Sequence, residues 1–362
     1  MQAADLYYFA GTVQNAHLVV PAEGEPALYV RRSLSRARRE SPLDRILPLQ
    51  SFGQLRGALA EAGAAAGKVG FELDVLPAAR YLRYADLLEG LELADCSPLI
   101  RDLRMRKSEW ELDCMRSAGA IIGHGLDAAG EVLVEGMTEL ELAAEVERAL
   151  RRAGHQGAVR TRAFNAETHY GVIAAGPSAA TPGGADAPIV GPGPNAAMGK
   201  GASQRPIRRN EPIIVDLVGA YGGYLADQTR TFSLGPVDDD FADAYEVART
   251  ILETVSSEAL PGTAGASLYG RAQELAAGRE GFMGPAGEQS VTFVGHGIGL
   301  ELDEAPLLAK GWDEPLAAGM VFALEPKFVF AGRGAVGVEN SYVVGANGVE
   351  AITAYREDLI EL

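Results

Sequence analysis

The chain has 362 residues, of which 47% are hydrophobic and 22% are charged, and its formal net charge is −17. These values are those of a globular protein with room for two domains, and so negative a surface repels the phosphates of nucleic acid and excludes it as an expected partner. No apolar run reaches the roughly 18 residues that span a bilayer, no signal-peptide pattern is present, and two cysteines are too few for a disulfide framework, so we expect a cytoplasmic protein with no membrane partner.

The first hundred residues read as a small α/β domain. Short β-like runs (HLVV, ALYV and KVGFEL) alternate there with Ala/Leu-rich stretches typical of helices. The opening stretch DLYYFAG, from Asp5 to Gly11, is aromatic and looks like a strand. We therefore predict a domain over residues 1–100 and a second domain over residues 101–362.

The second domain begins with a long amphipathic helix near SPLIRDLRMRKSEWELD. Thr138 and Glu141 predict a capping box for the next helix, and Gly154 predicts its end. Another helix pair is predicted at residues 241–260 and 266–278. Each pair lies near an apolar strand that carries acids, which indicates two similar halves related by a pseudo-twofold axis.

A long loop rich in Gly, Pro and Ala covers residues 181–206. The piece GPGPNA imitates a dinucleotide-binding fingerprint, but it contains prolines and no strand precedes it. The piece that ends in GKG is no phosphate loop, because five residues rather than four separate Gly193 from Gly199 and no Ser or Thr follows Lys200. Loops of this length in compact domains are often functional, and we predict that residues 183–205 gate a pocket.

Four acids stand in strand-like segments where apolar residues are expected. They are Asp216, Asp227, Glu325 and Glu339. A buried ionised carboxylate costs several kcal/mol unless it is paired. The closest basic residues in sequence, Arg230 and Lys327, are too few to neutralise four carboxylates. The sequence therefore predicts bound cations.

Two divalent ions would bring +4 against the −4 of these carboxylates, and His296, between two glycines in FVGHGIGLELDEAP, would complete the ligands. Oxygen ligands with one imidazole suit Mn²⁺, Co²⁺, Fe²⁺ or Zn²⁺. Singly, a strand aspartate is usually a turn or edge residue, and His296 would be an ordinary core histidine. Five such coincidences in order favour the metal site.

These residues resemble those of the pita-bread metallopeptidases, which include methionine aminopeptidase, aminopeptidase P, prolidase and the related creatinase. The order Asp, Asp, His, Glu, Glu is similar, and so are the spacings of 11 residues between the aspartates, 29 between His296 and Glu325, and 14 between the glutamates. GYLADQTRTFSLG, GHGIGLELDEAP and ALEP look like signatures of the prolidase branch. The resemblance implies an α/β (α+β) fold with a C-terminal pita-bread domain after a creatinase/prolidase-type N-terminal domain, here expected to lack its usual beginning.

The resemblance also implies roles for single residues. Asp216 would chelate one ion, Asp227 and Glu339 would bridge two, and His296 and Glu325 would complete the shell of the other. Glu325 would in addition be catalytic, by moving the proton of the attacking water. A homodimer is implied as well.

Three positions depart from the prolidase pattern. Histidines usual in that branch are replaced by Gly183 and Asp303, and an arginine two residues before the last glutamate is replaced by Gly337. The missing histidines position the scissile carbonyl and stabilise the oxyanion, which is worth a few kcal/mol per donor. We take Asp303, Gly183 and Tyr224 as the candidate substrate-binding residues.

The leading hypothesis is a dinuclear Xaa-Pro-type peptidase that hydrolyses the N-terminal bond of short peptides with a water held between the ions. One alternative is a pita-bread enzyme that acts on a small non-peptide substrate. The other is a catalytically weak homologue that keeps its metals.

Overall fold

The structure is a computed structural model that describes residues 2–64, 66–285 and 290–362. The chain divides into two compact units, Met1–Leu103 and Arg104–Leu362. In those described ranges, no helix combines the length and the apolar character that crossing a membrane requires.

The first unit is an α/β domain with two small sheets. Strands β1, β2 and β3 form one sheet, antiparallel between β1 and β2 and parallel between β2 and β3, and β4 pairs with β5 in parallel. Its elements in chain order are α1 (Ala3–Ala10), β1 (Ala16–Val19), β2 (Ala27–Val30), α2 (Leu34–Glu40), β3 (Arg45–Pro48), α3 (Gln54–Glu61), β4 (Gly67–Phe71), α4 (Ala78–Leu87), β5 (Leu91–Asp95) and α5 (Ser97–Met105), which leads into the second unit.

The strand predicted at the start of the chain is wrong, because these residues form helix α1. The side chain of Gln2 accepts a hydrogen bond from the backbone N–H of Asp5 and caps the first turn. Gly11 ends the helix in the left-handed conformation, with φ of 65°. The two caps outweigh the strand preference of the aromatic residues between them.

The long helix predicted near residues 97–113 is wrong in its continuity, because α5 ends at Met105 and a new helix begins after the N-cap Ser108. The other predicted helices of the second unit are present. The capping box of Thr138 and Glu141 is confirmed, and Ser108 with Glu111 forms another one. Gly154, with φ of 108°, follows directly after the C-cap residue Ala153. The helices are α6 (Glu109–Val132), α7 (Glu139–Arg152), α8 (Asp239–Glu258) and α9 (Gly265–Leu275).

Three sheets carry the strands of the second unit. Their orders are β16-β8-β7-β6, β10-β9-β11-β14-β15 and β12-β13. The strands are β6 (Gly171–Ala175), β7 (Ile213–Tyr221), β8 (Tyr224–Ser233), β9 (Phe293–Gly297), β10 (Glu304–Ala309), β11 (Val321–Leu324), β12 (Lys327–Phe330), β13 (Gly334–Gly337), β14 (Asn340–Val344), β15 (Val349–Ala351) and β16 (Ile360–Glu361).

Buried apolar residues of α8, α9 and the strands β9 to β14 form one continuous core. Every residue of β8 is buried, although the strand carries a run of polar side chains from Asp227 to Thr231. A strand buried on both faces normally reads as an apolar run, so its polar residues must all find partners. The buried polar side chains of β8 are therefore the first place to look for a functional site.

Candidate metal centre

Asp216 and Asp227 lie on one face of the β7–β8 hairpin. The strands pair antiparallel, with Asp216 opposite Thr229 and Val218 opposite Asp227. Residues directly opposite each other, and residues two apart in one strand, project from the same face. The two predicted aspartates therefore lie side by side, with Thr229 next to them.

The remaining three predicted ligands come from the five-stranded sheet. His296 on β9 lies opposite Ala323 on β11, and Glu325 follows β11 directly on the same face as Ala323. The register of β11 with β14, extended by one residue beyond the ladder, sets Glu325 opposite Glu339. Backbone hydrogen bonding joins the two sheets here, since the N–H of Glu339 donates to the carbonyl oxygen of Thr229 at 3.1 Å.

A lysine ammonium lies among these carboxylates. Lys327 Nζ is 3.0 Å from Asp216 Oδ2, 2.7 Å from Glu325 Oε2 and 2.9 Å from Glu339 Oε2, and its side chain is 2% exposed. The expectation that nearby basic residues leave the four carboxylates unpaired is therefore wrong for three of them. The signal available in the sequence was the two-residue spacing from Glu325, which is the same-face spacing of an extended chain.

Arg230, the other nearby base, binds backbone rather than carboxylate. Its guanidinium donates to the carbonyl oxygens of Thr229 and Glu339 and to Asn340 Oδ1. Burial lowers its pKa against the effect of surrounding acidic groups. Arg230 thus holds the chain segment that carries Glu339 and leaves the carboxylate free for other partners.

Two buried carboxylate oxygens have no hydrogen-bond partner among the described residues, namely Asp227 Oδ1 and Glu339 Oε1. The carboxylates of Asp227 and Glu339 form a group with His296 in which each residue offers one ligand atom, and these atoms all lie within 4.8 Å of one another. Buried polar atoms are nearly always satisfied, so carboxylates that carry unpaired oxygens and lie beside an imidazole fit a bound cation. The donor set therefore fits one divalent ion.

The ring of His296 is oriented for metal binding. Its Nδ1 lies 3.1 Å from the carbonyl oxygen of Gly297, which can only accept a hydrogen bond. Nδ1 therefore carries a hydrogen, and in the neutral imidazole Nε2 keeps its lone pair. A backbone carbonyl commonly fixes the tautomer of a ligating histidine in this way. Nε2 lies 3.6 Å from Glu325 Oε1, on the side of the acidic cluster.

The electrostatics of the cluster follow from burial and like charge. Burial, then Glu339 and Asp216, raise the pKa of Asp227 well above its usual value. Burial likewise raises the pKa of Glu325 to about 7, although Lys327 opposes the shift. Burial alone would lower the pKa of Lys327, but its three carboxylate neighbours outweigh that effect and raise it. The site is therefore short of positive charge.

The predicted second ion does not fit this arrangement. On the Asp216 side of the cluster, Asp216 Oδ2 and Glu339 Oε2 both accept hydrogen bonds from Lys327 Nζ. An ion ligated by those oxygens would lie about 2.0–2.2 Å from each, in the space that the ammonium fills.

The predicted substrate-binding residues have different surroundings. Asp303 is 60% exposed, and its Oδ1 lies 3.7 Å from His296 Nδ1. Gly183 packs against Val190, where a Cβ on the glycine would come within 2.4 Å of a valine methyl group. A histidine would not fit at residue 183 without a shift of this loop. Asp303 is therefore the member of this set that lies beside the metal ligands.

Tyr224 does not present its hydroxyl to an open pocket. The side chain is 3% exposed, and the hydroxyl donates to Glu111 Oε1 at 2.8 Å. Trp110 packs edge-on against its ring, with centroids 5.7 Å apart. These contacts tie the start of β8 to α6, and the substrate contact of Tyr224 stays a prediction.

The Gly/Pro-rich loop folds back on itself through backbone hydrogen bonds. The N–H of Gly201 donates to Val190 and the N–H of Gly193 donates to Gly201. Lys200 Nζ donates to Thr168 Oγ1. The loop therefore has an internal structure of its own, and its gating of a pocket stays a prediction.

The chain is similar to known proteins along most of its length. The model of metallopeptidase family M24 matches residues 113–346, and that of the creatinase/prolidase N-terminal domain matches residues 1–106. The chain is 30% identical to the probable dipeptidase PepE of Mycobacterium tuberculosis over 354 residues, which is 95% of this chain and 84% of that protein. It is 26% identical to the Xaa-Pro dipeptidase of Pyrococcus furiosus, over 98% of this chain and 92% of that one. The crystal structure of dipeptidase PepE from Mycobacterium ulcerans superposes with a TM-score of 0.79 at 27% identity, covering 99% of this chain and 90% of that one.

Proposed function

Because the chain belongs to metallopeptidase family M24 and is a peptidase with the predicted pita-bread fold, we propose that it hydrolyses the N-terminal peptide bond of short peptides with one divalent ion. Asp227, His296 and Glu339 would hold the ion, with Glu325 beside it. The observation that carries this proposal is the grouping of Asp227, His296 and Glu339, whose ligand atoms lie within 4.8 Å of one another. Two buried oxygens of these carboxylates, Asp227 Oδ1 and Glu339 Oε1, have no hydrogen-bond partner among the described residues.

Glu325 is the proposed proton carrier. Its Oε2 accepts a hydrogen bond from Lys327, while its Oε1 points to the His296 side of the site. A divalent ion bound there supplies Lewis-acid polarisation of the peptide carbonyl and lowers the pKa of a water molecule. Glu325 Oε1 accepts the proton as water oxygen bonds to the carbonyl carbon. It returns the proton to the amine nitrogen as the C–N bond breaks.

Burial raises the pKa of Glu325 to about 7 in the metal-free protein, and a cation bound beside it would lower that value. A carboxylate that first accepts and then donates a proton works best when its pKa lies near the working pH. Lys327 fixes the other carboxylate oxygen, so that the accepting atom keeps one orientation. Arg230 and Thr229 hold Glu339 through its backbone and its Oε2.

We propose Xaa-Pro dipeptides and related short peptides as the substrate class. Support comes from the relatives, which include proteins named Xaa-Pro dipeptidase from Pyrococcus furiosus and Lactobacillus delbrueckii. The exposed carboxylate of Asp303 disfavours a free C-terminal carboxylate one residue beyond the scissile bond. Tripeptides and amidated dipeptides are therefore the better substrates in this proposal.

Three further features belong to the proposal. The ion is Mn²⁺, Co²⁺, Fe²⁺ or Zn²⁺, which the mixed oxygen and imidazole donors suit. The protein is a cytoplasmic homodimer, as the composition and the resemblance imply.

A second candidate is hydrolysis of a small non-peptide substrate at the same site. It is favoured by the missing donors at Gly183 and Asp303, which the peptidases of the prolidase branch use on the peptide carbonyl. This candidate is favoured if the metal-loaded enzyme cleaves small amides or amidines and cleaves none of the peptides.

A peptide panel with matched variants tests the function. The chelated protein is reloaded with each metal in turn and offered Xaa-Pro and Xaa-Ala dipeptides, their amides and tripeptides. We expect hydrolysis at the first bond, with kcat reduced about 10²–10⁴-fold in Glu325→Gln. Glu280→Gln, at an exposed glutamate outside the cluster, is the control and keeps full activity. Absence of cleavage with any metal would contradict the proposal.

A further inference from the structure

We propose that the ammonium group of Lys327 permanently occupies the position of a second metal ion, so that this chain is a one-ion enzyme with a built-in cation. The inference rests on the proposed function only for the presence of the first ion. Lys327 is a positioning residue of the metal centre in this proposal. Its contacts with the carboxylates are all present in the structure without a metal, a substrate or a partner.

The contacts of Lys327 match an ammonium that replaces a metal. An ammonium has three hydrogens, and Nζ lies within 3.0 Å of three carboxylate oxygens from three different side chains. These acceptors are Asp216, Glu325 and Glu339, which come from two sheets and the segments between them. A surface lysine pairs with one carboxylate, whereas this one gathers three at a depth where its side chain is 2% exposed.

Glu339 divides its two oxygens between the two cations. Its Oε2 accepts from Lys327 Nζ and from Thr229 Oγ1, while its Oε1 has no partner within the described part of the chain. Asp227 also has an unpaired oxygen, and Asp216 is bound to the lysine. The carboxylate predicted to bridge two ions thus bridges one ammonium and one open metal position.

Gly337 supplies the space that the lysine stem needs. Lys327 and Gly337 are direct partners in the β12–β13 ladder. A Cβ at residue 337 would lie 2.5 Å from Lys327 Cγ and 2.9 Å from the carbonyl oxygen of Pro326. Both distances are shorter than atoms tolerate, so a side chain at residue 337 would displace the stem. The missing arginine at this position and the lysine in the site are therefore parts of one arrangement.

Charge balance agrees with a single ion. One divalent ion and one ammonium bring +3 against the −4 of the four carboxylates, and the guanidinium of Arg230 lies against the backbone of Glu339. Two ions together with the ammonium would bring +5. An excess of buried positive charge is as costly as an excess of negative charge. The lysine therefore excludes the second ion by charge as well as by volume.

Metal stoichiometry tests the proposal directly. The purified full-length protein is stripped with chelator, loaded with excess Mn²⁺, freed of unbound ion and analysed for metal per chain. We expect about one equivalent for the wild type and about two for Lys327→Ala, in which space and charge for the second ion are restored. Lys107→Ala is the matched control, because that ammonium is equally buried but pairs with Glu304 outside the cluster. It should stay at one equivalent.

The outcomes separate the inference from the function. Two equivalents in the wild type, or one in Lys327→Ala, would overturn the role of Lys327 even if the enzyme cleaves peptides. One equivalent in the wild type and two in the variant would support it even if no peptide is cleaved. If Lys327→Ala does not fold, electron paramagnetic resonance of the Mn²⁺-loaded wild type decides. The spectrum of an isolated ion supports the proposal, and that of an exchange-coupled pair overturns it.

Discussion

Lys327 Nζ donates to Glu339 Oε2 across 2.9 Å, and the other oxygen of the same carboxylate has no partner among the residues that the structure describes. One glutamate thus ends a chain of hydrogen bonds that starts at a lysine and offers its free atom to a metal ion. This division separates a fixed cation from an exchangeable one. Removing Lys327 should therefore lower the stability of the metal-free fold and increase the stabilisation that metal binding provides.

Removing the lysine should make the fold dependent on metal. In Lys327→Ala with chelator present, three carboxylates lose a buried partner, and we expect the free energy of unfolding to fall by about 3–5 kcal/mol. Urea unfolding in chelator and in Mn²⁺ measures this, and the loss should shrink with metal, since ligands that bind only the folded state stabilise it. Lys310→Ala, at an exposed lysine, should change the value by less than about 0.5 kcal/mol. Equal stability of Lys327→Ala and wild type in chelator would contradict the account.

Gly337 and Lys327 should be energetically coupled. Gly337→Ala places a Cβ 2.5 Å from Lys327 Cγ, and we expect a loss of about 1–3 kcal/mol from overpacking. In the Lys327→Ala background the stem is gone, so the same substitution should cost less. A double-mutant cycle by urea unfolding gives the coupling energy, which should exceed about 0.5 kcal/mol. Additive losses would show that the glycine serves another purpose, such as the close approach of Pro326.

Asp303 should set the preference between free and amidated dipeptides. Two like charges about 4 Å apart repel by roughly 1 kcal/mol in water, and the 60% exposure of Asp303 keeps the effect near that value. Asp303→Asn should therefore raise kcat/KM for a free dipeptide by about five- to tenfold. The amidated dipeptide is the control substrate and should change little. A wild type that prefers the free Xaa-Pro dipeptide over its amide would rule out this role.

Most ligands of the site could be predicted from the sequence, but the neutralisation of their charge by Lys327 could not. Ligand order, ligand spacing and the Thr138–Glu141 cap are local patterns, and the structure brings all five predicted ligands together. Its distance along the chain places Lys327 near Glu325 only. Its contacts with Asp216 and Glu339 depend on the pairing of β12 with β13 and on the approach of β7. A single lysine in the sequence does not show which distant carboxylates the strand register places beside it.

Tyr224 and helix α1 show the same limit in other forms. Tyr224 stands at the start of a strand that is buried on both faces, so its hydroxyl had to find the carboxylate of Glu111 rather than solvent. Helix α1 depends on a Gln2 cap and a left-handed Gly11, which are single-residue signals within an aromatic stretch. In α1 the strand preference of the aromatic residues is outweighed by these two caps.

His17 should make the first unit sensitive to acid. Burial lowers the pKa of His17 to about 4, with further lowering by Arg80 and Arg31, and its Nε2 lies 2.7 Å from the hydroxyl of Tyr84. The unfolded chain therefore binds a proton near pH 6.5 that the folded chain does not bind until about pH 4. Stability from this group is present above pH 6.5 and falls by about 3 kcal/mol as the pH drops to 4. Urea unfolding across this range should show a shallower fall in His17→Gln, and equal slopes would contradict the prediction.

Titration of metal-free protein with Mn²⁺, followed by the rate of peptide hydrolysis, tests the central claim most directly. The protein is kept at a concentration far above the dissociation constant of its Mn²⁺ complex, and Mn²⁺ is added in rising equivalents. The substrate is an amidated Xaa-Pro dipeptide or a tripeptide. We predict no hydrolysis without metal, a linear rise, and saturation at one equivalent per chain. A rate that keeps rising until two equivalents are bound would contradict a centre in which Lys327 takes the second position. Hydrolysis at full rate in the metal-free protein would contradict the metal centre itself.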